Sequence, residues 1–333
     1  MIRGVKFIRR FFRSPKVIIG ELVAMAGTCA VGALLGQDRL FHNVWFMALT
    51  AAVALSLTIV IHEQLRRLTT HWGSRPAVRL IGSPLFHFGL LLVISAGFCR
   101  LLFGTEAVVD LMEGETIAAT PASWSGQQTG VFGKPFRLPC PVTMNTLHAN
   151  RYEDGDLRDL AASLTLQERD APRGAELSVN RDITTATGRL FLGADFGPAA
   201  LLEWQKEGAP AVHEAVLLTG CGQGLYAGSS SGSNGVQAHL RTFIGRTVKH
   251  PESFEVRVMR GHALLSTGRP RVGQTVALHN GESMVIVGSP FWARVRGTHD
   301  PALGVAYAGF AFVIAGSVMM FGMISPDYRR APA

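Results

Sequence analysis

Charge is scarce in this chain. Of its 333 residues only 17% are Asp, Glu, Lys or Arg, against 47% hydrophobic. With a positive mean hydropathy and apolar residues gathered in blocks, that is the composition of a membrane protein. Cysteine is nearly absent, at four residues, and no C-x-x-C occurs. Thiol-disulfide exchange and covalent attachment of a c-type haem to this chain are therefore unsupported. There is no Ser/His/Asp grouping, no carboxylate pair in an apolar setting, no cluster with metal-ligand spacing and no internal repeat, so residue chemistry alone reveals no enzyme. The Gly-rich run GCGQGLYAG at 220–228 contains a G-x-G, but a phosphate-binding loop needs a helix directly after it, and a Gly/Ser tract follows instead.

Long apolar runs are what the chain has. A helix needs about 20 apolar residues to cross a hydrocarbon core of about 30 Å, and four stretches qualify: 17–35, 44–62, 80–103 and 302–324. The first follows a basic segment as a secretory signal would, but no A-x-A-like site comes after it and a second run begins within ten residues, so it reads as a retained anchor.

The net charge of +8 is concentrated in short flanks, which argues against nucleic-acid binding. Residues 1–16 carry Arg3, Lys6, Arg9, Arg10, Arg13 and Lys16 without an acid. The connection between the second and third runs carries Arg66, Arg67, Arg75 and Arg79 against Glu63, and the tail adds Arg329 and Arg330. Segment 104–300 holds 18 Lys/Arg against 20 Asp/Glu. By the positive-inside rule both termini and the 63–79 connection are cytoplasmic, and the large segment lies outside. The expected organisation is a cytoplasmic basic N-terminus over 1–16, three transmembrane helices within 17–103, a β-rich extracytoplasmic domain over 104–300, a fourth helix over 301–324 and a cytoplasmic tail over 325–333.

Segment 104–300 reads as strands, in short alternating or β-branched runs at 107–112, 158–168, 175–180, 189–194, 212–218, 237–244, 253–260 and 283–287. TVALH and SMVIV flank Asn280-Gly281, a pair that type I′ hairpins favour because both central residues need positive φ. Asp154-Gly155 marks a second turn, and 227–235 (AGSSSGSNG) a loop tip. A β-sandwich or barrel-like domain is expected. Cys140 and Cys221 both fall within it and are a candidate disulfide pair in an oxidising compartment, whereas Cys29 and Cys99 lie in the spans.

His87, in SPLFHFGLLLV, stands about eight residues into the third run, about 12 Å deep at the helical rise. Ionisable side chains at that depth are functional candidates, and neutral imidazole is the usual axial ligand of haem iron. A histidine hydrogen-bonded between helices is the equally open alternative. His62 closes the second run next to Glu63 and reads as an interfacial polar residue. Glu21 and Arg100 lie near span ends, where both can snorkel. His213, His239, His250, His262, His279 and His299 are scattered without ligand spacing. The small residues Gly304, Ala308, Gly309, Ala311, Ala315 and Gly316 of the fourth run are spaced for close helix approach.

Taken in order, several local patterns resemble the ResB-like (CcsB) family of system II cytochrome c biogenesis proteins. They are FHFGLLLVISAGFCRLLFGTEAVVDLMEGET, with a His- and Gly-containing span and a strand ending in Glu113-Gly114-Glu115; YEDGDLRDLAASLTL; ELSVNRDITTATGRLFLG; and the Asp-Pro entry and Gly-rich helix of THDPALGVAYAGFAFVIAGSVMMF. The chain departs from the family pattern where its second span ends in TIVIHEQL and where Asn180-Arg181-Asp182 replaces a more usual Asn-x-Pro-Leu-like stretch.

The resemblance implies a subunit that assists haem delivery across the bacterial inner membrane and its attachment to apocytochrome c. It also implies a CcsA-type partner carrying the Trp-rich haem segment, since the five tryptophans here (Trp45, Trp72, Trp124, Trp204, Trp292) form no cluster. The implied cofactor is a transient b-type haem with His87 as axial ligand, and His62 is the other candidate. The competing readings are a b-haem subunit of a quinol oxidoreductase, needing two facing histidines, and a haem-free membrane-anchored scaffold or sensor. None involves nucleic acid, and all involve the bilayer.

Overall fold

The computed structural model describes residues 11–12, 14–35, 43–70, 77–152, 156–206, 208–222, 224–230, 235–245, 250–278 and 281–321. The basic residues before 11, Arg75, Trp72, His279, Asn280, the Asp154-Gly155 turn, the middle of the 227–235 tip and the tail after 321 lie outside them. Contacts divide the chain into two units, one holding the helices together with residues 129–134, the other holding 106–128 and 135–299.

The helical unit contains α1 (Pro15–Leu35), α2 (Val44–Thr70), α3 (Ala77–Phe103) and α4 (Leu303–Phe321). All four are long and apolar enough to cross a membrane. Each described start has a local cause. Pro15 opens α1, where its missing N–H costs nothing, and the Ser14 carbonyl accepts from Val17 N and Ile18 N. Asn43 Oδ1 caps α2 by accepting from Trp45 N at 3.1 Å. Asp300 Oδ1 accepts from Ala302 N at 3.0 Å ahead of α4, and the same carboxylate lies 3.6 Å from Arg100 in the last turn of α3. The Asp-Pro entry thus caps one helix and ties it to the end of another. α2 runs to Thr70 rather than stopping at His62. The limit of the apolar run is not the limit of the helix, because Glu63-Gln64-Leu65-Arg66 are all good helix formers.

Helix α3 packs against α4 along glycines. A Cβ on Gly89 would stand 2.6 Å from Val313 N and 2.7 Å from Gly309 O, and one on Gly316 would stand 2.5 Å from Phe86 N. Gly82 and Gly89 on one helix therefore meet Gly309 and Gly316 on the other, each pair seven residues apart, two turns along one face. Gly304 has open space around it, so the small-residue stripe of α4 is used only in part.

Every strand expected from alternation is present, and the region forms three sheets rather than a two-sheet sandwich or a single barrel. The eight-stranded sheet is organised by Gly188–Lys206, 19 residues long. Its first half pairs antiparallel with Phe291–His299, and its second half with Glu282–Gly288 and Val212–Leu217. A strand this long changes partners midway, with register shifts in both pairings, and so the sheet branches instead of closing. Thr116–Ile117, Val142–Arg151, Leu157–Gln167 and Pro172–Ser178 make a four-stranded meander, and the five-stranded sheet runs from Thr219–Gly220 to Ala263–Gly268. Thr275–Ala277 pairs with Glu282–Gly288 as the expected hairpin, with Gly281 at φ +70°. GCGQGLYAG leads into the strand Leu225–Ser229, not into a helix.

The candidate disulfide is not formed: Cys140 and Cys221 are both free, the first buried and the second exposed. Burial, chiefly, pushes the Cys140 thiol pKa up, reinforced by nearby Glu168. A sulfur held in the thiol form inside the core is a poor nucleophile for disulfide exchange.

Candidate functional site

His87 is half-buried on α3, ten residues and so about 15 Å from the start of that helix. Its Nδ1 lies 2.7 Å from the carbonyl oxygen of Ser83, one turn earlier. A carbonyl only accepts, so Nδ1 carries the proton and, in the neutral ring, Nε2 keeps its lone pair. Among the described residues no hydrogen bond engages Nε2. From α2, Gln64 Nε2 donates to Ser83 Oγ at 3.0 Å and stands 3.5 Å from His87 Nδ1. Gln64 Oε1 is buried and unpartnered. Ser83 of the same helix thus fixes the ring through one nitrogen, Gln64 of α2 holds that serine by its hydroxyl, and the other ring nitrogen is left open. His87 is hydrogen-bonded within its own helix rather than between helices, and its Nε2 keeps a lone pair.

The sequence reading missed Gln64 and Ser83. Ser83 stood one turn before His87 and was visible as its i−4 neighbour, but nothing local marked Gln64. His62 is exposed, and two residues from Gln64 it falls on the opposite side of α2. Glu21, read as a snorkelling residue, instead accepts a hydrogen bond from Ser56 Oγ at 2.8 Å; Ser56 is fully buried, so the carboxylate links α1 to α2. Among the described residues no group of three His, Cys, Asp or Glu is placed to hold a metal ion.

In the strand-rich unit the Glu-Gly-Glu motif is a junction. Glu113 Oε1 accepts from Leu147 N at 2.7 Å, and its Oε2 accepts from Phe291 N at 2.9 Å, so one carboxylate clasps two strands from different sheets. Gly114 turns with φ +81°, and Glu115 Oε2 accepts from Met112 N at 3.0 Å. His250 donates through Nδ1 to the Ser289 carbonyl at 2.9 Å and sets Nε2 3.6 Å from Glu113 Oε2. These residues border an open depression of 570 Å³ with Pro251, Glu252, Arg271 and Val272. Glu113 is occupied by backbone donors, which is a structural assignment. Trp204 and Trp292 are buried in the core, where Trp292 Nε1 donates to Leu218 O at 3.1 Å.

Haem iron is ligated by neutral imidazole nitrogen, and the Nε2 of His87 meets that requirement. The described residues place one such nitrogen at this position.

Four membrane-length helices and a strand-rich unit define a polytopic membrane protein. Residues 72–203, which include His87 and the Glu113–Glu115 motif, match the model of the ResB-like family. No curated protein matches the chain. Among solved structures it is similar to one titled cytochrome c heme lyase CcmF, at 13% identity and a TM-score of 0.32, over 90% of this chain and 34% of that one. It is also similar to FlgL of Xanthomonas campestris at 14% identity and a TM-score of 0.14, over 90% of this chain and 83% of that one. At those TM-scores neither likeness bears on fold or function, and the chain spans about a third of the first protein's length.

Proposed function

We propose that this protein is a subunit of a system II cytochrome c biogenesis complex in the bacterial cytoplasmic membrane. It assists haem delivery to apocytochrome c together with a CcsA-type membrane partner, and its strand-rich domain lies on the extracytoplasmic side. The observation that carries the reading is the orientation of His87, protonated at Nδ1 toward Ser83 O with Nε2 left as a lone-pair donor. When bound, haem supplies the group to be transferred. The chain's residues do the holding: the Ser83 carbonyl fixes the tautomer, Gln64 bridges α2 to α3 through Ser83 Oγ, and the apolar helices exclude water. This chain would offer the haem one imidazole nitrogen, His87 Nε2, and a further nitrogen would come from the partner. The quinol-oxidoreductase reading is disfavoured by the exposure of His62 on the far side of its helix. The scaffold reading leaves the orientation of His87 without a purpose.

The test is the absorption spectrum of the complex purified with its partner. Wild type is expected to show a b-type haem. His87→Ala is expected to lose most of it while the complex stays assembled, and exogenous imidazole should restore it by filling the vacated position. A haem content unchanged by His87→Ala ends the ligand assignment. Gln64→Leu removes the interhelical support but not the ligand. Outer-shell partners of metal ligands are typically worth 10- to 100-fold in affinity, so its haem affinity is expected to fall about tenfold, readable by haem titration of the purified complex.

A further inference from the structure

Residues 129–134 belong with the helices, although strands precede and follow them in the chain. The reason is a cap. The last carbonyls of a helix have no partner within it and need one from outside. Gly130 N donates to Gly104 O at 2.8 Å, and Phe132 N to Leu102 O at 2.7 Å. Thr105 Oγ1 donates to Lys134 O at 2.7 Å. A Cβ on Gly130 would stand 2.5 Å from Leu101 O, and one on Gly133 would stand 2.9 Å from Gly104 O. The glycines are what let the loop lie on the end of α3.

Pinned in this way, the loop turns its apolar side chains outward. Val131 is 64% exposed, Phe132 65% and Phe103 44%, and the rings of Phe132 and Phe103 lie 5.8 Å apart. Exposed Lys134 and Arg100 flank them. The level of this patch follows from helix register. Gln64 of α2 meets Ser83 of α3 with the two helices antiparallel; nineteen residues back from Gln64 is Trp45, and nineteen on from Ser83 is Leu102. Trp45, 81% exposed, therefore stands level with the end of α3. Tryptophan and other aromatics at one level, with cationic side chains beside them, mark a membrane–water interface.

We propose that the 130–133 loop is an interfacial anchor, with Val131 and Phe132 inserted at the boundary between lipid headgroups and acyl chains. Its occupant is the bilayer, because the patch is continuous with exposed Phe103 at the end of the membrane-length helix α3 and shares its level with Trp45. The loop fixes the depth and rotation of α3, the helix that carries His87, but the inference does not depend on haem.

Benzoylphenylalanine placed separately at Val131 and at Phe132, irradiated in native membranes, tests it. The expected result is a covalent adduct with the mass of one phospholipid at one or both positions. Adducts to a polypeptide alone would make the patch a protein interface, and the absence of any adduct at both positions would place it in water; either overturns the proposal.

Discussion

Gly89→Leu is expected to separate α3 from α4. The contact has no slack: an added Cβ at Gly89 meets Val313 N at 2.6 Å, Gly309 O at 2.7 Å and Val313 Cγ2 at 2.8 Å. Two of those atoms are backbone and cannot turn aside as a flexible side chain would. Close approach is also what membrane helices depend on, since apolar side chains gain little by leaving lipid for one another and association rests on packing. Overpacking a well-filled contact costs about 1–3 kcal/mol, sometimes more, and here the whole interface must widen. A marked fall in the thermal midpoint of the detergent-solubilised protein is the expected reading. Gly97→Ala is the matched control. It lies on the same helix with nothing within 4 Å, and replacing an exposed helical glycine by alanine is worth up to about 1 kcal/mol in favour of the helix. Since propensity favours both replacements, a loss from Gly97→Ala equal to that from Gly89→Leu would mean that the close contact with α4 does not set the result. His87 and Gly89 share α3, so Gly89→Leu is also expected to lower haem content, whereas Gly97→Ala is not.

What was legible in the sequence was whatever depends on near neighbours. The four helices follow from apolar runs, and strands such as Val236–Phe243 follow from strict alternation of buried and exposed positions. Val142–Arg151 escaped notice because Thr, Asn and His interrupt its apolar pattern. So did Phe291–His299, where Phe291, Trp292 and Ala293 are buried in succession and period-two reading fails. Among site residues, His87 stood out because an imidazole deep in an apolar run is costly anywhere. Gln64 did not, because its role exists only when α2 lies against α3. The glycine seam was half visible: the stripe on α4 was noticed, while its counterpart, Gly82 and Gly89, was hidden in a helix read for its histidine. The 129–134 cap was not legible at all, since nothing in Gly-Val-Phe-Gly indicates that its N–H groups reach the end of a helix 26 to 30 residues earlier in the chain.

Glu113 is the residue whose loss is expected to cost the strand-rich unit most. Its side chain is 11% exposed, and its two oxygens serve backbone donors 34 and 178 residues away in sequence. Replacing it with alanine leaves the N–H groups of Leu147 and Phe291, both buried residues, without their acceptor. A buried donor stripped of its partner costs about 1–3 kcal/mol, so a loss of about 2–6 kcal/mol is expected from the pair. That is a large share of the 5–15 kcal/mol typical of whole domains. Glu113→Gln separates charge from geometry. It keeps one acceptor oxygen but turns an NH₂ toward the other backbone donor, so one bond survives and one becomes a clash of donors. The expected order of resistance to limited proteolysis in the full-length protein is wild type, then Gln, then Ala, with new cleavage in the segments joining the two sheets. Were Gln to match wild type, one hydrogen bond would suffice and the clasp argument would fail. Were Ala to match it, the Glu-Gly-Glu motif would have no structural reason, and its carboxylate beside His250 would become a candidate for binding rather than for folding.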